Sequence, residues 1–495
     1  MMTLRRIFTS IICLAAALSA AGQTISNPAF ADTLGGRKAQ AELFGRKDNG
    51  GIIPLSGSPD SFETGASASA YHRLSEKLVF YGLLGWEYFR GKDMGGPILM
   101  DPYYNPVNFL ERDETTKGTK YRETYNLEGG LSYLFSPAWA AGISVKYQAA
   151  DQTKLKDPRF SNIRMDLDIN AGASFKTGER LVLGVSLNFR STLENIRGGI
   201  YGTTDKQYFI ATDKGGFLGI VGELAGDYGI ISTSSATPMV NRFYGGALQA
   251  VLDGKFMNEL YFYARSGYYG RESSNSPRYF DYSGVETGYR GSLKAGSHFI
   301  ALDLGFANIS NTENKYQYVT PPGKNTVVQY TGKDVVLRRS VYKASLDYSW
   351  KNALGMSLSG RYIDQSASMF PLGRKTQAAT ISADIWGQRT MWKRLTLELH
   401  ALAEGGFGNA AIDSADASAT STTIRSFDSY MNKQFEYDTA LRAGGRLAAT
   451  YELPRIGNTS PYVRISEQYI HLLHAPQYLE GSGRNVALIG IGLTF

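Results

Sequence analysis

Stretches of about ten residues in which every second residue is apolar recur along this chain, and they constrain its fold more than any other feature. In residues 342–350, Tyr, Ala, Leu, Tyr and Trp alternate with Lys, Ser, Asp and Ser. The same period of two marks residues 165–175, 181–190, 395–403 and 441–451. This period predicts β-strands that each have one apolar and one polar face.

Such strands bury their apolar faces either in a soluble sandwich or against lipid, and two features favour lipid. The stretches are long for soluble strands and suit tilted membrane strands. Aromatic residues gather near the predicted strand ends, as an interfacial girdle requires, at Trp86, Tyr88, Tyr133, Phe135, Trp350, Trp386 and Trp392. Because hydrocarbon offers no partner to backbone N–H and C=O groups, a spanning sheet must close into a barrel.

The chain divides into eighteen candidate strands. Their approximate spans are 37–46, 62–72, 77–90, 121–134, 138–149, 162–175, 180–191, 240–252, 257–270, 282–294, 297–309, 338–350, 353–365, 373–386, 391–405, 436–452, 460–473 and 484–495. Short connections alternate with longer ones, as periplasmic turns alternate with extracellular loops in such barrels. We therefore predict an all-β, transmembrane, antiparallel up-and-down β-barrel of about 18 strands, within a range of about 14–18, in the outer membrane. An even strand count places both termini in the periplasm.

The N-terminus has the pattern of a signal peptide. Arg5 and Arg6 precede an apolar stretch over 7–21, small residues follow it, and Gln23 suits a first mature residue. A membrane anchor is the alternative, but the apolar stretch is too short to span a bilayer. We predict three segments: a signal peptide over 1–22, an N-terminal periplasmic or lumen segment over 23–36, and the barrel over 37–495. The single cysteine, Cys13, falls in the signal peptide, so the mature chain would have no disulfide.

The last strand ends on an aromatic residue. Ala487, Ile489, Ile491 and Leu493 alternate with smaller or polar residues, and Phe495 closes the chain. This pattern resembles the C-terminal insertion signal that the bacterial barrel-assembly machinery reads. The resemblance implies that Phe495 is an assembly signal, with that machinery and outer-membrane lipid as partners.

The chain as a whole resembles an uncharacterised family of Bacteroidota outer-membrane β-barrels. The resemblance rests on the Gln23 start, the Tyr- and Gly-rich strands, the long loops and the Phe495 end. Asn27-Pro28-Ala29 also resembles a segment of the FadL-like transporters of hydrophobic substrates, whose N-terminal segment plugs the barrel. A turn before the first strand is the alternative reading of these three residues.

The polar strand faces carry charges of both signs, which we expect to line the lumen. The basic members are Lys146, Arg190, Lys343, Arg361, Arg442, Arg446 and Arg464, and the acidic members are Glu128, Asp166, Asp168, Asp303, Asp347, Asp384 and Glu398. His400 shares the predicted face of Glu398, and a structural hydrogen bond explains that pair better than catalysis does. Because the two signs are equal in number, these charges predict no ion selectivity. Ion pairs between neighbouring strands explain the charges as well as a role in transport does.

Other classes of function find little support. The formal net charge of +7 falls to +5 without Arg5 and Arg6, too little over this length to indicate nucleic-acid binding. No Gly-x-Ser-x-Gly or His-Glu-x-x-His pattern occurs, so neither an enzyme nor a cofactor or metal site is expected.

One loop stands out for its composition. The predicted loop 192–239 contains the apolar, glycine-rich stretch 215–222, and we hypothesise that it folds into the lumen or caps it. Packing on neighbouring loops or on a partner protein is the alternative. The leading interpretation of the chain is a passive or partner-gated channel or transporter for a small solute. The second is a scaffold or adaptor barrel for a surface or secretion complex, with the loops 91–120, 310–337 and 406–435 as docking surfaces.

Overall fold

The computed structural model describes residues 26–34, 38–102, 104–111, 114–203, 205–224, 231, 236–273, 275–414 and 424–495. The predicted signal peptide lies outside these residues. The strands are β1 (Lys38–Gly50), β2 (Asp60–Arg73), β3 (Leu78–Met94), β4 (Asn108–Glu111), β5 (Gly118–Leu134), β6 (Trp139–Lys154), β7 (Arg159–Thr177), β8 (Leu181–Gly199), β9 (Phe209–Gly215), β10 (Leu218–Glu223), β11 (Thr237–Leu252), β12 (Phe256–Ser273), β13 (Ser276–Ala295), β14 (His298–Val319), β15 (Val327–Trp350), β16 (Leu354–Met369), β17 (Leu372–Met391), β18 (Leu395–Ser414), β19 (Arg425–Ser426), β20 (Arg442–Glu452), β21 (Ser460–Leu472) and β22 (Gly483–Thr494). One α-helix, α1 (Asp428–Thr439), and two 3₁₀ helices, Pro28–Leu34 and Glu114–Thr116, complete the described elements.

Eighteen of these strands form one closed antiparallel barrel. Each barrel strand pairs with its neighbours along the chain, and β1 closes the sheet by pairing with β22 from Gln40↔Thr494 to Gly50↔Arg484. The predicted fold class and strand count are therefore confirmed. Closure leaves no free sheet edge, which is the condition for a sheet in hydrocarbon.

The outer face of the barrel is apolar and the inner face is polar, as the period of two predicts. On β8, the side chains of Leu183, Val185 and Leu187 are 44%, 49% and 70% exposed, while that of Ser186 between them is buried at 4%. Other barrel strands repeat the pattern, since Leu248 on β11 and Ile143 on β6 also face outward. Among the described residues no helix is long and apolar enough to cross a membrane.

Two predictions about the connections need correction. The strand predicted over 436–452 begins only at Arg442, because residues 428–439 form helix α1. The helix lacks the alternating apolar pattern of the barrel strands, and its contacts with β17 and β18 hold it in place. The predicted loops 271–281 and 310–337 are mostly strand, because β12–β13 and β14–β15 continue as long two-stranded ribbons.

Candidate functional site

The four strands outside the barrel wall form a second sheet inside it, in the order β19-β10-β9-β4. We call this the inner sheet. It is assembled from the long connections that follow β3, β8 and β18. Its central hairpin, β9–β10, comes from the glycine-rich loop that the sequence placed in or over the lumen, and its described part lies against the inner face of β14–β17.

The tip of the β9–β10 hairpin fits closely against the barrel wall. Gly216 has a φ of +68°, and a Cβ added there would lie 2.8 Å from the Cβ of Ala367 on β16. Leu218 is fully buried with Leu337 and Ala367 of the wall. The left-handed backbone favours glycine at the tip, and a side chain there would require the hairpin to shift by about 1 Å from the wall.

An apolar core fixes the opposite side of the inner sheet. Phe109 of β4 is fully buried, and its ring centroid lies 4.9 Å from that of Tyr269 on β12. Residues of the long connections and of the inner barrel wall pack around this pair: Ile98, Leu99, Val107, Phe160, Ile196, Ile210, Leu224, Ile231, Met239, Phe280, Tyr282 and Ile309. The described connections therefore pack against the inner wall of the barrel at the level of the inner sheet.

Arg374 of β17 anchors the hairpin tip and the start of α1 at once. Its guanidinium donates hydrogen bonds to the Gly216 carbonyl oxygen at 3.1 Å and to Ser426 Oγ at 2.7 Å, and it pairs with Asp428. The side chain is fully buried. A second tie joins the same hairpin to β14, where Asn311 Nδ2 donates to the Lys214 carbonyl oxygen at 2.8 Å and Lys214 Nζ lies 2.5 Å from Glu313.

A buried charge cluster ties β4 to the other side of the wall. Glu111 forms an ion pair with Lys154 of β6 and lies 4.0 Å from Lys120 Nζ, and all three side chains are at most 4% exposed. Thr116 Oγ1 also donates to Glu111 at 2.9 Å. The inner sheet is therefore held to the barrel by buried charges on both sides.

The N-terminal segment occupies the opposite end of the lumen, beside the short turns. Asn27 is buried, and its Nδ2 donates to the carbonyl oxygens of Ala173 and Val185 at 3.1 Å each. Three glycines on β6–β8 make room for this segment. A Cβ on Gly172 would lie 2.0 Å from Asn27 Oδ1, and Cβ atoms on Gly142 and Gly184 would lie 2.6 Å and 2.4 Å from atoms of the segment.

The predicted lumen charges lie on the inner face, and most of them pair with each other or with inner elements. Their closest charged contacts are Lys146–Glu128 at 3.2 Å, Arg190–Asp166 at 2.7 Å, Arg361–Asp438 at 2.9 Å, His400–Asp384 at 2.9 Å, His400–Glu398 at 2.5 Å, Arg446–Glu398 at 3.3 Å, Arg442–Glu404 at 2.5 Å and Arg464–Glu42 at 2.6 Å. Asp168 accepts hydrogen bonds from Asn170 and Asn188, Asp347 from Ser357, and Asp303 lies 3.4 Å from Arg290. The Lys343 side chain has no hydrogen bond or ion pair with any residue in the described ranges.

The residues that attach the inner sheet to the barrel wall were not predicted from the sequence. Arg374 is the second residue of a predicted strand, and Lys154 and Glu111 fall in predicted loops. Their partners come from distant connections, so no local pattern signals them. The available signal is the set of apolar residues within the predicted loop 91–120, namely Ile98-Leu99-Met100, Val107 and Phe109-Leu110. In the described parts of the chain, no group of three or more His, Cys, Asp or Glu residues suits a metal ion.

The inner sheet contains one carboxyl group that we expect to make the docking of the β9–β10 hairpin on the barrel wall pH-dependent. Burial raises the pKa of Asp213 on β9 from 3.8 to about 7, against the opposing effects of the Gly215 and Phe217 N–H groups and of Arg374 and Arg339. The docked hairpin thus binds a proton that the displaced hairpin releases above pH 4. Docking is strongest below about pH 4 and weakens as the pH rises through 7, by up to about 1.4 kcal/mol per pH unit.

Hydrogen exchange of the 209–223 amides, corrected for intrinsic rates, should therefore be slower at pH 5 than at pH 8. Asp213→Asn should remove most of this difference. An unchanged pH dependence in that variant would show that another group is responsible.

An eighteen-stranded antiparallel barrel with an apolar outer face places the protein in the class of outer-membrane β-barrels, here with a second sheet built from its own connections packed on the inner wall. Within that class, the chain belongs to a family of unknown function, DUF6850, whose match covers residues 28–495. The Bacteroidota lineage and the likeness to FadL-like transporters stay predictions.

Comparison with solved structures gives several matches of low sequence identity. One is a mutant of the ferric enterobactin receptor PfeA from Pseudomonas aeruginosa, with 9% identity, a TM-score of 0.41, and coverage of 93% of this chain and 81% of that one. The ferric preacinetobactin receptor BauA from Acinetobacter baumannii gives 8% identity, a TM-score of 0.39, and coverage of 93% and 79%. The outer membrane transporter YddB from Escherichia coli gives 8% identity, a TM-score of 0.39, and coverage of 92% of this chain and 81% of that one. Comparison with curated protein sequences gives no match.

Proposed function

We propose that the protein is an outer-membrane channel for a small solute that is closed at rest and opens when the inner sheet is displaced. The observation that carries this proposal is the position of the inner sheet, whose residues Phe109 and Leu218 are fully buried within the barrel interior. A barrel of about 18 strands is wide enough for an aqueous channel unless something fills it. Here the filling segments are connections between strands, so they can move without opening the wall.

The polar wall below the inner sheet supports a solute path. We propose that its lining includes the residues predicted from the sequence: Lys146, Asp166, Asp168, Arg190, Arg361, Asp384, Glu398, His400, Arg442 and Arg446. Because these charges balance each other in pairs, they favour no ion of one sign over the whole path. We place the short turns and both termini in the periplasm, in keeping with the even strand count.

A liposome-swelling assay with graded neutral sugars tests this function. The wild type should admit sugars slowly. A variant in which residues 209–223 are replaced by a short Gly/Ser linker should admit them at least ten times faster. Replacing the exposed turn 320–326 by the same linker is the matched control and should change nothing. If the hairpin-deleted barrel is folded and still impermeable, the channel function is wrong.

A scaffold function remains the second proposal, because one ribbon projects beyond the rest of the barrel. Past Glu313 of β14 and before Leu337 of β15, these two strands pair only with each other. Tyr318 and Tyr330 on this ribbon are 57% and 48% exposed. A surface or secretion partner protein could dock there. An impermeable hairpin-deleted variant would favour this function.

We also propose that the described part of the 23–36 segment narrows the periplasmic end of the path. Its contacts with Gly142, Gly172 and Gly184 leave it fixed on one side of the lumen. It would therefore constrict the opening rather than seal it.

Phe495 is proposed as the assembly signal read by the barrel-assembly machinery. Its side chain is 58% exposed, and its backbone N–H donates to the Ala39 carbonyl oxygen at 2.9 Å across the closing strand pair. We expect Phe495→Ala to lower the amount of folded barrel in the outer membrane several-fold, measured by heat-modifiable mobility in membrane fractions. Phe370→Ala, which removes a more exposed aromatic side chain (76%) at an outer turn, should leave that amount unchanged. Equal losses in both variants would argue against a specific signal.

A further inference from the structure

We infer that the inner wall of β15 and β16 carries a binding subsite for the anionic group, a carboxylate or a phosphate, of a small solute. Arg339, Lys343 and Arg361 form it. The inference deepens the proposed channel function, because the subsite lies on the solute path just below the hairpin tip.

The register of β15 and β16 brings like charges together. Lys343 lies directly opposite Arg361, so their Cα atoms are about 4.5–5.5 Å apart. Arg339 lies on the same inner face of β15, four residues before Lys343. Like charges directly opposite each other in a sheet are destabilising, so this arrangement calls for a compensating anion.

The protein supplies little of that compensation itself. Arg361 pairs with Asp438 of α1 at 2.9 Å. Neither the Arg339 side chain nor the Lys343 side chain has a hydrogen bond or ion pair with any residue that the structure describes. Other inner-wall arginines do have close carboxylates, as in Arg464–Glu42 and Arg484–Asp48, both at 2.6 Å. Arg339 and Lys343 are half-buried, and charges that are partly withdrawn from water without a partner are costly, which favours a ligand at this point.

The remaining charged groups around the subsite do not neutralise it. Glu286 of β13 and Asp303 of β14 attract Lys343 from beyond contact distance, and Asp303 is itself paired with Arg290. Arg339 faces Asp213 and Asp101 and is repelled by Arg265 and Arg361. Asp101 lies 3.7 Å from Arg164, and burial keeps the pKa of Asp213 near 7, so a large fraction of that carboxyl is neutral at physiological pH.

The wall beside the subsite is open and offers a neutral donor. Gly305 faces inward next to Lys343, and a Cβ added there would meet nothing nearer than Tyr261 Oη at 3.4 Å. The Tyr261 hydroxyl forms no hydrogen bond within the described chain, so it can donate one to a bound oxygen. Leu337, which contacts the hairpin tip, lies two residues before Arg339. Displacement of the hairpin would therefore expose the subsite from the outer side.

Equilibrium dialysis with radiolabelled inorganic phosphate and, separately, succinate tests the inference on the full-length protein in detergent. The wild type and the hairpin-deleted variant should bind at least one of the two anions. Lys343→Gln and Arg339→Gln should each weaken that binding at least tenfold. Lys92→Gln removes a lysine that is paired with Asp60 at 2.6 Å and lies outside the proposed path, and it should change affinity less than twofold.

Equal affinities in the Lys343, Arg339 and Lys92 variants would overturn the inference, as would the absence of binding to both anions in folded wild-type and hairpin-deleted protein. Folding is checked by heat-modifiable mobility. Specific binding without any sugar flux in the swelling assay would refute the channel while leaving the subsite in place. Sugar flux without specific anion binding would support the channel and refute the subsite.

Discussion

Replacing Arg374 with methionine is expected to turn a closed channel into one that opens repeatedly. The guanidinium joins the hairpin tip, β19 and α1 through the Gly216 carbonyl, Ser426 and Asp428. Each hydrogen bond to a charged group contributes roughly 1.5–3 kcal/mol, and the buried Gly216 acceptor would lose its partner. A loss of about 3 kcal/mol in docking raises the displaced population more than a hundredfold, since each 1.4 kcal/mol is a factor of ten.

Planar-bilayer recording should show this change as discrete current steps in Arg374→Met where the wild type shows almost none. Arg374→Lys keeps one charge but not the fork of donors, so it should open less often. Arg389→Met removes an arginine near the short-turn end of β17, away from the inner sheet, and should behave as the wild type does. A silent Arg374→Met channel would mean that Arg374 does not control docking.

Replacing Glu111 with glutamine should weaken the attachment of the other side of the inner sheet to the barrel wall by a comparable free energy. The change removes the buried counter-charge of Lys154 and leaves Lys120 close to it without an anion. Breaking a buried ion pair by removing one partner is destabilising by about 3–5 kcal/mol. Because the barrel wall keeps its own hydrogen bonds, the loss should appear in the connections first.

Limited proteolysis should therefore cut Glu111→Gln within residues 95–117 and 205–224 at protease levels that leave the wild type intact, while the heat-modifiable barrel persists. Glu480→Gln is the matched control, because its partners Lys117 and Lys433 are more exposed and such pairs contribute about 0–1 kcal/mol. Equal cleavage of the two variants would contradict the role assigned to Glu111.

The barrel could be predicted from the sequence because its strands are defined by a local pattern. Leu183, Val185 and Leu187 face outward and Ser186 faces inward, and the alternation that predicts this is visible within a single short stretch of the strand. Closure then follows from the need to pair every backbone group in hydrocarbon. Even the entry of the glycine-rich loop could be suspected, because Gly215-Gly216-Phe217 is unlike a solvated loop.

The architecture of the inner sheet could not be predicted in this way. Its strands β4, β9, β10 and β19 are short, and their partners lie in connections far apart in the chain, as Leu218↔Ser426 shows. Helix α1 was taken in part for a strand, since residues 436–439 run directly into the alternating stretch of β20. The partners of Arg374 and Glu111 depend on this long-range assembly, so no spacing in the sequence reveals them.

The central claim is that displacement of the β9–β10 hairpin opens the barrel, and a reversible cross-link tests it most directly. Gly216→Cys and Ala367→Cys would place two thiols where the Cβ separation is now 2.8 Å, so a shift of about 1 Å allows a disulfide. Both are introduced together with Arg374→Met, and single-channel current is recorded before and after reduction. We predict silence while the disulfide is intact and current steps after dithiothreitol is added. The same current steps in the oxidised and reduced protein would contradict the claim.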